Sequence, residues 1–288
     1  MKRGQCGCAV VQKRVSEPTL IQFRRYKKNN METVGYHRIK AISWANLKNH
    51  AFSCSAGAYH NGAINADGQL YIWGRHDHLN LPHLGSDLLL PTPMKVVSAS
   101  QPEEIKAVVC GLGVTYVVKD DGVVYSFGQT TNGQLGLRTS WKPCNPRRIQ
   151  ELSKVKEIKC GPNLTLAVTI DEHIYEWGTF LVWDDAKGKC TKRKSCLPIR
   201  LEFDPQRLKI HPCHCDVGWW ESAITTAEGK LLGWNYLEER FIGVLSPSFY
   251  QYDLAKDSNV RTHKMACCPF FTAVFAGVSS KNDLPKRT

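Results

Sequence analysis

A short pattern recurs along this chain, and that recurrence limits the possible folds more than any other feature. Ala66-Asp67-Gly68-Gln69-Leu70-Tyr71-Ile72-Trp73-Gly74 returns as Asp120-Asp121-Gly122-Val123-Val124-Tyr125-Ser126-Phe127-Gly128 and again as Ile170-Asp171-Glu172-His173-Ile174-Tyr175-Glu176-Trp177-Gly178. A weaker copy runs from Ala227 to Trp234. The anchors Gly74, Gly128, Gly178 and Trp234 are nearly evenly spaced, at a period in the range of propeller and solenoid repeats. A glycine stands at one constant distance before each turn position: Gly57 before Gly68, Gly111 before Gly122 and Gly161 before Glu172, with Gly218 in the fourth copy. Apolar stretches follow at Ala63-Ile64, Tyr116–Val118, Leu166–Val168 and Ala223-Ile224. Cys267-Cys268-Pro269 and Thr272-Ala273-Val274 echo Cys160-Gly161-Pro162 and Leu166-Ala167-Val168, so a fifth copy opens near the C-terminus.

Each copy reads as four short strands. The first ends near a Cys-Gly, at Lys106–Cys110 and Val155–Cys160. The second runs to an Asp-Gly, which suits a tight hairpin in which both central residues take positive φ. The third carries the Tyr-x-aromatic pair, whose alternate spacing places both rings on one face of a strand. The fourth follows a proline, at Pro93–Val97, Pro146–Leu152 and Pro198–Phe203. One such unit cannot bury its own apolar face, whereas units set radially can. The expected fold is all-β, a propeller of four-stranded blades. The repeat phase of Tyr71, Trp73, Tyr125, Phe127, Tyr175, Trp177 and Trp234 makes these rings core residues rather than a ligand site.

The pattern resembles the regulator of chromosome condensation repeat: Gly-x-x-x-(Thr)-x-apolar, then Asp-Gly-x-Tyr-x-Trp-Gly, then Asn-Gly-Gln-Leu-Gly. The last element is intact at Asn132-Gly133-Gln134-Leu135-Gly136, with remnants at Leu84-Gly85 and Ile242-Gly243. The resemblance covers residues 36–278 on the repeat period. Seven repeats are usual in that family; here four are recognisable. His37-Arg38-Ile39-Lys40-Ala41-Ile42 resembles the closing strand Arg147–Leu152, so it and the C-terminal copy are expected to share one composite or incomplete blade. The expected organisation is a basic, disordered arm over residues 1–33, repeats over 34–278 and a disordered tail over 279–288.

Charge supplies the candidate binding residues. Lys and Arg number 38 against 26 Asp and Glu, a formal charge of +12. Residues 1–40 hold ten basic side chains and two acids, or +8; the remainder holds 28 and 24, or +4. A basic arm on a near-neutral body attracts polyanions. Within it, Phe23-Arg24-Arg25-Tyr26-Lys27-Lys28 suits a nuclear import signal, a nucleic-acid contact, a mitochondrial presequence or a plain tail. A second cluster, Lys187, Lys189, Lys192, Arg193 and Lys194, is expected in a loop after the third Trp-Gly, either simply solvated or holding phosphate or an acidic partner. The partner-binding candidates are therefore Arg24, Arg25, Lys27, Lys28, Lys187, Lys189, Lys192, Arg193 and Lys194.

Other chemistry finds little footing. A length of 288 residues with 42% hydrophobic and 22% charged composition is that of a globular protein. The longest nearly apolar run, Val108–Val118, is too short to span a bilayer, and no export signal is evident, so the 12 cysteines are expected to be reduced in the cytoplasm or nucleus. Cys190, Cys196, His211, Cys213, His214 and Cys215 lack the spacing of paired zinc ligands. No phosphate-binding loop, nucleophile elbow or His-Glu-x-x-His motif occurs. No cofactor, metal or catalytic residue is expected.

The resemblance implies a non-catalytic interaction module: a binder or guanine-nucleotide exchange regulator of a Ran-type small GTPase. A chromatin or nucleic-acid adaptor using the arm, and a pure scaffold, are the alternatives. The family's founding regulator inserts a wedge from one blade at the nucleotide site. Here the stretches from the aromatic-Gly to the next proline, Gly74 to Pro91, Gly128 to Pro143 and Gly178 to Pro198, are similar in length. They give no matching insertion and argue against exchange by that route.

Overall fold

The computed structural model describes residues 23–27, 30–35, 54–64, 70–75, 89–95, 105–128, 131–138, 146–184, 186–201, 211–227, 231–235, 248–252, 260–267 and 272–278. All regular structure among them is β. Two compact units divide the chain, Met1–Val155 and Lys156–Thr288.

In the first unit, β1 (Phe23–Lys27), β2 (Asn30–Gly35), β3 (Cys54–Ala56), β4 (His60–Ile64), β5 (Leu70–Arg75) and β6 (Leu89–Lys95) form a sheet ordered β2-β1-β6-β5-β4-β3. Strands β7 (Ile105–Cys110), β8 (Val114–Lys119), β9 (Val124–Gly128) and β10 (Arg147–Arg148) form a second, ordered β10-β9-β8-β7. The third sheet contains β11 (Val155–Cys160), β12 (Leu164–Thr169), β13 (Ile174–Asp184) and β14 (Lys189–Arg200) in chain order. The fourth contains β15 (Pro212–Val217), β16 (Ser222–Thr226), β17 (Leu231–Asn235) and β18 (Ser248–Tyr252), also in chain order. Finally β19 (Val260–Cys267) pairs with β20 (Thr272–Val278), the opening strands expected of a fifth copy.

Several expectations change. The Asp-Gly turn needs only one left-handed residue rather than two. Lys119 N–H donates to Val123 O at 2.9 Å and Gly122 N–H to Lys119 O at 2.9 Å, which closes a loop of three residues, Asp120, Asp121 and Gly122. In such a loop the left-handed residue is the last. Gly122 fills that position at φ 79, and in the next copy Glu172 does so at φ 63. The arm differs as well. Phe23–Lys27 and Asn30–Gly35 form an antiparallel hairpin, and β1 lies parallel to β6 with Arg24 opposite Met94, whereas the sequence suggested a disordered segment through residue 33. Residues 37–42, proposed to close a composite blade, lie outside the described residues, as does the tail 279–288.

The recurrent glycines have two physical causes. The one after Tyr-x-aromatic takes φ near +120° in three copies: Gly74 at 127, Gly128 at 121 and Gly178 at 122. Side-chain-bearing residues avoid that conformation. The upstream glycine permits close approach of neighbouring sheets. A Cβ on Gly57 would lie 2.5 Å from Gly111 O, and one on Gly161 would lie 2.3 Å from Gly218 O. Glycine of one copy thus faces glycine of the next within each unit.

Each unit has its own core between paired sheets. Ala63, Ile64, Leu70, Ile72 and Trp73 pack against Val108, Cys110, Val117 and Phe127. In the second unit Leu164, Leu166, Val168, Ile174, Phe180 and Val182 pack against Cys215, Val217, Ile224, Leu232 and Trp234. Most of the aromatic series is core, with Tyr71, Trp73, Phe127, Trp177 and Trp234 buried, whereas Tyr125 and Tyr175, also expected there, are only half-buried. The Asn132–Gly136 element is structural too. Its Gln134 carbonyl accepts from the Tyr116 hydroxyl, and its Leu135 carbonyl accepts from Ser126 Oγ at 2.6 Å.

Candidate interaction surface

The third copy departs from its neighbours after Gly178. In the sheets around it, the third strand stops at or just past the position of that glycine. Here β13 continues to Asp184, turns, and returns as β14. The register runs Gly178↔Ser195, Thr179↔Lys194, Phe180↔Arg193, Leu181↔Lys192, Val182↔Thr191, Trp183↔Cys190 and Asp184↔Lys189. The composition of Thr179-Phe180-Leu181-Val182-Trp183, rich in aromatic and branched residues, favours a strand. Gly188, at φ 58, supports the return turn. The segment expected as a loop is therefore a hairpin extension, formed within a stretch similar in length to its counterparts.

The extension is fixed at its base and charged along its outer strand. Phe180 and Val182 lie on the same strand face as Glu176 and enter the core of the second unit. Burying such side chains contributes about 1.5–3 kcal/mol each. Lys187, Lys189, Lys192, Arg193 and Lys194 are all exposed. The Lys192 ammonium lies 5.6 Å from the centre of the Trp220 ring, within cation–π range. Beside it Trp219 is 42% exposed, and its carbonyl accepts from Asn163 Nδ2 at 3.0 Å.

Sequence reasoning missed these tryptophans. The signal was their break with the repeat: after Gly57, Gly111 and Gly161 stand Ala58-Tyr59, Leu112-Gly113 and Pro162-Asn163, but after Gly218 stand Trp219-Trp220.

Polar and acidic side chains join the sheets behind the extension. Glu176 is fully buried in β13; one oxygen accepts from the Ser222 hydroxyl and the other from Trp234 Nε1 at 3.1 Å. On β11, Glu157 Oε1 lies 3.4 Å from Lys159 Nζ, while Glu157 Oε2 accepts from Cys215 N–H at 3.1 Å and lies 3.5 Å from His214 Nδ1. Burial alone would lower the Lys159 pKa, but the charge of Glu157, aided by Cys215 and Asp216 and by the Glu157 hydrogen bond, outweighs it and holds the ammonium above its ordinary range.

The remaining sequence candidates are scattered. Arg24, Arg25 and Lys27 belong to β1, and Lys28 lies outside the described residues. Of the suspected zinc ligands, Cys190 and Cys196 are exposed on β14, His211 Nδ1 lies 2.9 Å from both Glu172 oxygens, and Cys215 is in the core. Among the described residues, no three His, Cys, Asp or Glu side chains converge on a metal position. Desolvation pushes the Cys54 thiol up, away from thiolate chemistry. Asn163-Leu164-Thr165 fits the Asn-x-Thr glycosylation pattern, but its Thr165 is buried in β12. Among the described residues no helix is long and apolar enough to cross a membrane.

Comparison with known proteins agrees with the repeat. Residues 121–168 match the regulator of chromosome condensation (RCC1) repeat. The chain is 30% identical over 187 residues to the ultraviolet-B receptor UVR8 of Arabidopsis thaliana, covering 63% of this chain and 40% of that protein. It is thus similar to less than half the length of that relative. Among solved structures, human WBSCR16 superposes with a TM-score of 0.61 at 17% identity, covering 92% of this chain and 63% of that one. Yeast RCC1 (Prp20), solved bound to Kap60, gives 0.57 at 18% identity, covering 75% and 52%. Prp20p of Saccharomyces cerevisiae, in a structure reported with its binding to Gsp1p and histones, gives 0.53 at 20%, covering 72% and 52%. At these identities the structures speak for the fold alone. The blades, the glycine spacing and the matched repeat agree: the chain carries an RCC1-type repeat at residues 121–168 in an all-β fold whose four-stranded antiparallel sheets match those of its RCC1 β-propeller neighbours.

Proposed function

We infer that this chain is a regulatory interaction module that binds a Ran-type small GTPase, with the hairpin of β13 and β14 as its contact. The observation that carries the reading is that extension: a rigidly based, exposed, basic hairpin placed where the repeat needs none. Its contact residues are Lys187, Lys189, Lys192, Arg193 and Lys194. The family resemblance supplies the partner class. No catalytic group is required, because a regulator that binds the nucleotide-free GTPase more tightly than the loaded one drives release by differential affinity. The working compartment is cytoplasm or nucleus.

The test is release of a fluorescent GDP from Ran-, Rab- and Rho-type GTPases, together with capture of each in nucleotide-free and loaded form. Preferential capture of a nucleotide-free Ran-type GTPase, with faster release, is expected. Charge reversal at Lys189 and Lys194 weakens both. A folded chain that captures no panel member in either form overturns the reading.

The charge of +8 over residues 1–40 favours a second reading, a chromatin or nucleic-acid adaptor working through Arg24, Arg25, Lys27 and Lys28. It predicts DNA or nucleosome binding that falls steeply with salt and is lost on neutralising those four residues. Salt-independent binding rejects it.

A further inference from the structure

Strand β14 ends the third sheet. It pairs with β13 on one side and, among the described residues, with no strand on the other. Along such an edge every second N–H and C=O points away from the sheet, a template for another strand. We propose that this edge receives an extended, acidic segment of a partner protein, which adds to the third sheet as a fifth strand. The proposal rests on the reading of the chain as a protein-interaction module and specifies what that module grips.

Three features single out this occupant. The first is continuity. Lys189–Ser195 pairs with β13 in unbroken register and contains no proline; the register shifts beyond Ser195, in the stretch that holds Pro198. Phe180 and Val182 pin the paired strand in the core, so the edge is ordered before a partner arrives and little ordering entropy opposes binding. The second is charge. From Ala186 to Leu201 there are six basic residues and no acid. Alternation along a strand sends Lys192 and Lys194 to one face and Lys189 and Arg193 to the other. A strand with acidic residues on both faces therefore meets opposite charge along its length. The third is exclusion. A second copy pairing edge to edge would set Lys and Arg against Lys and Arg, which like-charge repulsion opposes. Basic side chains on an edge are a common guard against self-association. Here they leave acidic strands as the admissible partners, so one feature both excludes and selects. A nucleic acid would use the charges but leave the directional backbone donors and acceptors of the edge unused; strand addition uses both.

The experiment uses the full chain and four probes. They are a fluorescein-labelled acidic peptide of about nine residues alternating Glu with Thr and Val, the same sequence N-methylated at every backbone nitrogen, its Lys-for-Glu analogue, and an oligodeoxythymidylate of matching charge. Binding is read by anisotropy, and contact by amide hydrogen exchange. The acidic peptide is expected to bind and to slow exchange over Lys189–Cys196. The Lys-for-Glu analogue is expected not to bind. N-methylation is expected to weaken binding by about tenfold or more, because charge survives and the backbone bonds do not. Lys189→Glu with Lys194→Glu, both at exposed positions, should weaken it by about tenfold.

Equal binding of the N-methylated peptide, tighter binding of the oligonucleotide, or protection elsewhere overturns the proposal. The GTPase capture is run on the same preparation. GTPase binding without peptide binding rejects strand addition alone. Peptide binding without GTPase binding rejects the GTPase reading alone.

Discussion

Glu176 offers the sharpest test of how the third and fourth sheets are joined. It is fully buried, yet Ile72, Ser126 and Gly233 occupy the same place in the other copies, so nothing in the repeat requires a charge there. Its carboxylate accepts from Ser222 Oγ and from Trp234 Nε1, both across the inter-sheet core. Replacement by alanine orphans two buried donors at about 1–3 kcal/mol each. It also removes the desolvation cost of a buried carboxylate, which is several kcal/mol and opposes that loss. Breaking a buried charged interaction from one side is nonetheless strongly unfavourable in general, so we expect Glu176→Ala to destabilise by about 3 kcal/mol. Glu176→Gln keeps the shape and one acceptor oxygen, and the Ser222 hydroxyl can turn to accept from the new amide. Its expected cost is about 1–2 kcal/mol.

Ser222→Ala, alone and combined with Glu176→Ala, completes a double-mutant cycle with little change of volume. A coupling of about 1.5 kcal/mol is expected. Urea unfolding followed by far-UV circular dichroism gives the totals. Because two compact units need not unfold in one step, hydrogen exchange at the amides of β16 and β17 supplies the local free energies. Coupling below about 0.5 kcal/mol would refute the assigned hydrogen bond. A Gln variant more stable than the parent would refute the balance of terms, showing that desolvation outweighs the bonds.

Three further outcomes follow from other parts of the molecule. Gly161→Ala places a Cβ 2.3 Å from Gly218 O, where only backbone can yield, and should lower stability by about 2–3 kcal/mol. Gly188→Ala meets nothing within 4 Å and should cost only the left-handed penalty of about 1 kcal/mol; equal urea midpoints for the two variants would refute the close-approach argument. Glu172→Gly relieves a φ of 63 at the cost of an exposed pairing with His211, and a net gain of about 0.5 kcal/mol is expected; a lowered melting temperature would show that the pairing matters more than the strain. Lys159 has its folded pKa raised, so its stabilising contribution is complete below the unfolded value of about 10.4 and fades as pH climbs through the higher folded value. Lys159→Met should therefore flatten the alkaline end of the stability–pH curve; an unchanged decline above that range would place its origin elsewhere.

Local chemistry wrote much of the fold into the chain. The first strands were legible almost to their ends, at Lys106–Cys110 against an observed Ile105–Cys110 and at Val155–Cys160 as observed. This follows because strand period, turn residues and glycines act over a few neighbouring positions. The glycine after Tyr-x-aromatic was visible because φ near +120° admits almost nothing else. The candidate surface was only half legible. Its lysines stood out by charge, but the distance from Gly178 to Pro198 suits a loop as well as a hairpin, and lysine-rich composition reads as solvated in both. The strand-favouring run Thr179–Trp183 was the available clue, and Gly188 marked its turn.

What composition could not supply was partner choice between distant segments. Whether β1 joins β6, whether Glu176 finds Ser222 and Trp234, and whether Lys192 meets Trp220 depend on contacts between residues far apart along the chain. The repeat, the strands and the places where only glycine fits are properties of the chain itself, because backbone geometry and near neighbours settle them. That a basic stretch becomes a rigid edge strand is a property of the folded molecule. It requires Phe180 and Val182 to find a core shared with the next copy, and no local preference encodes that meeting.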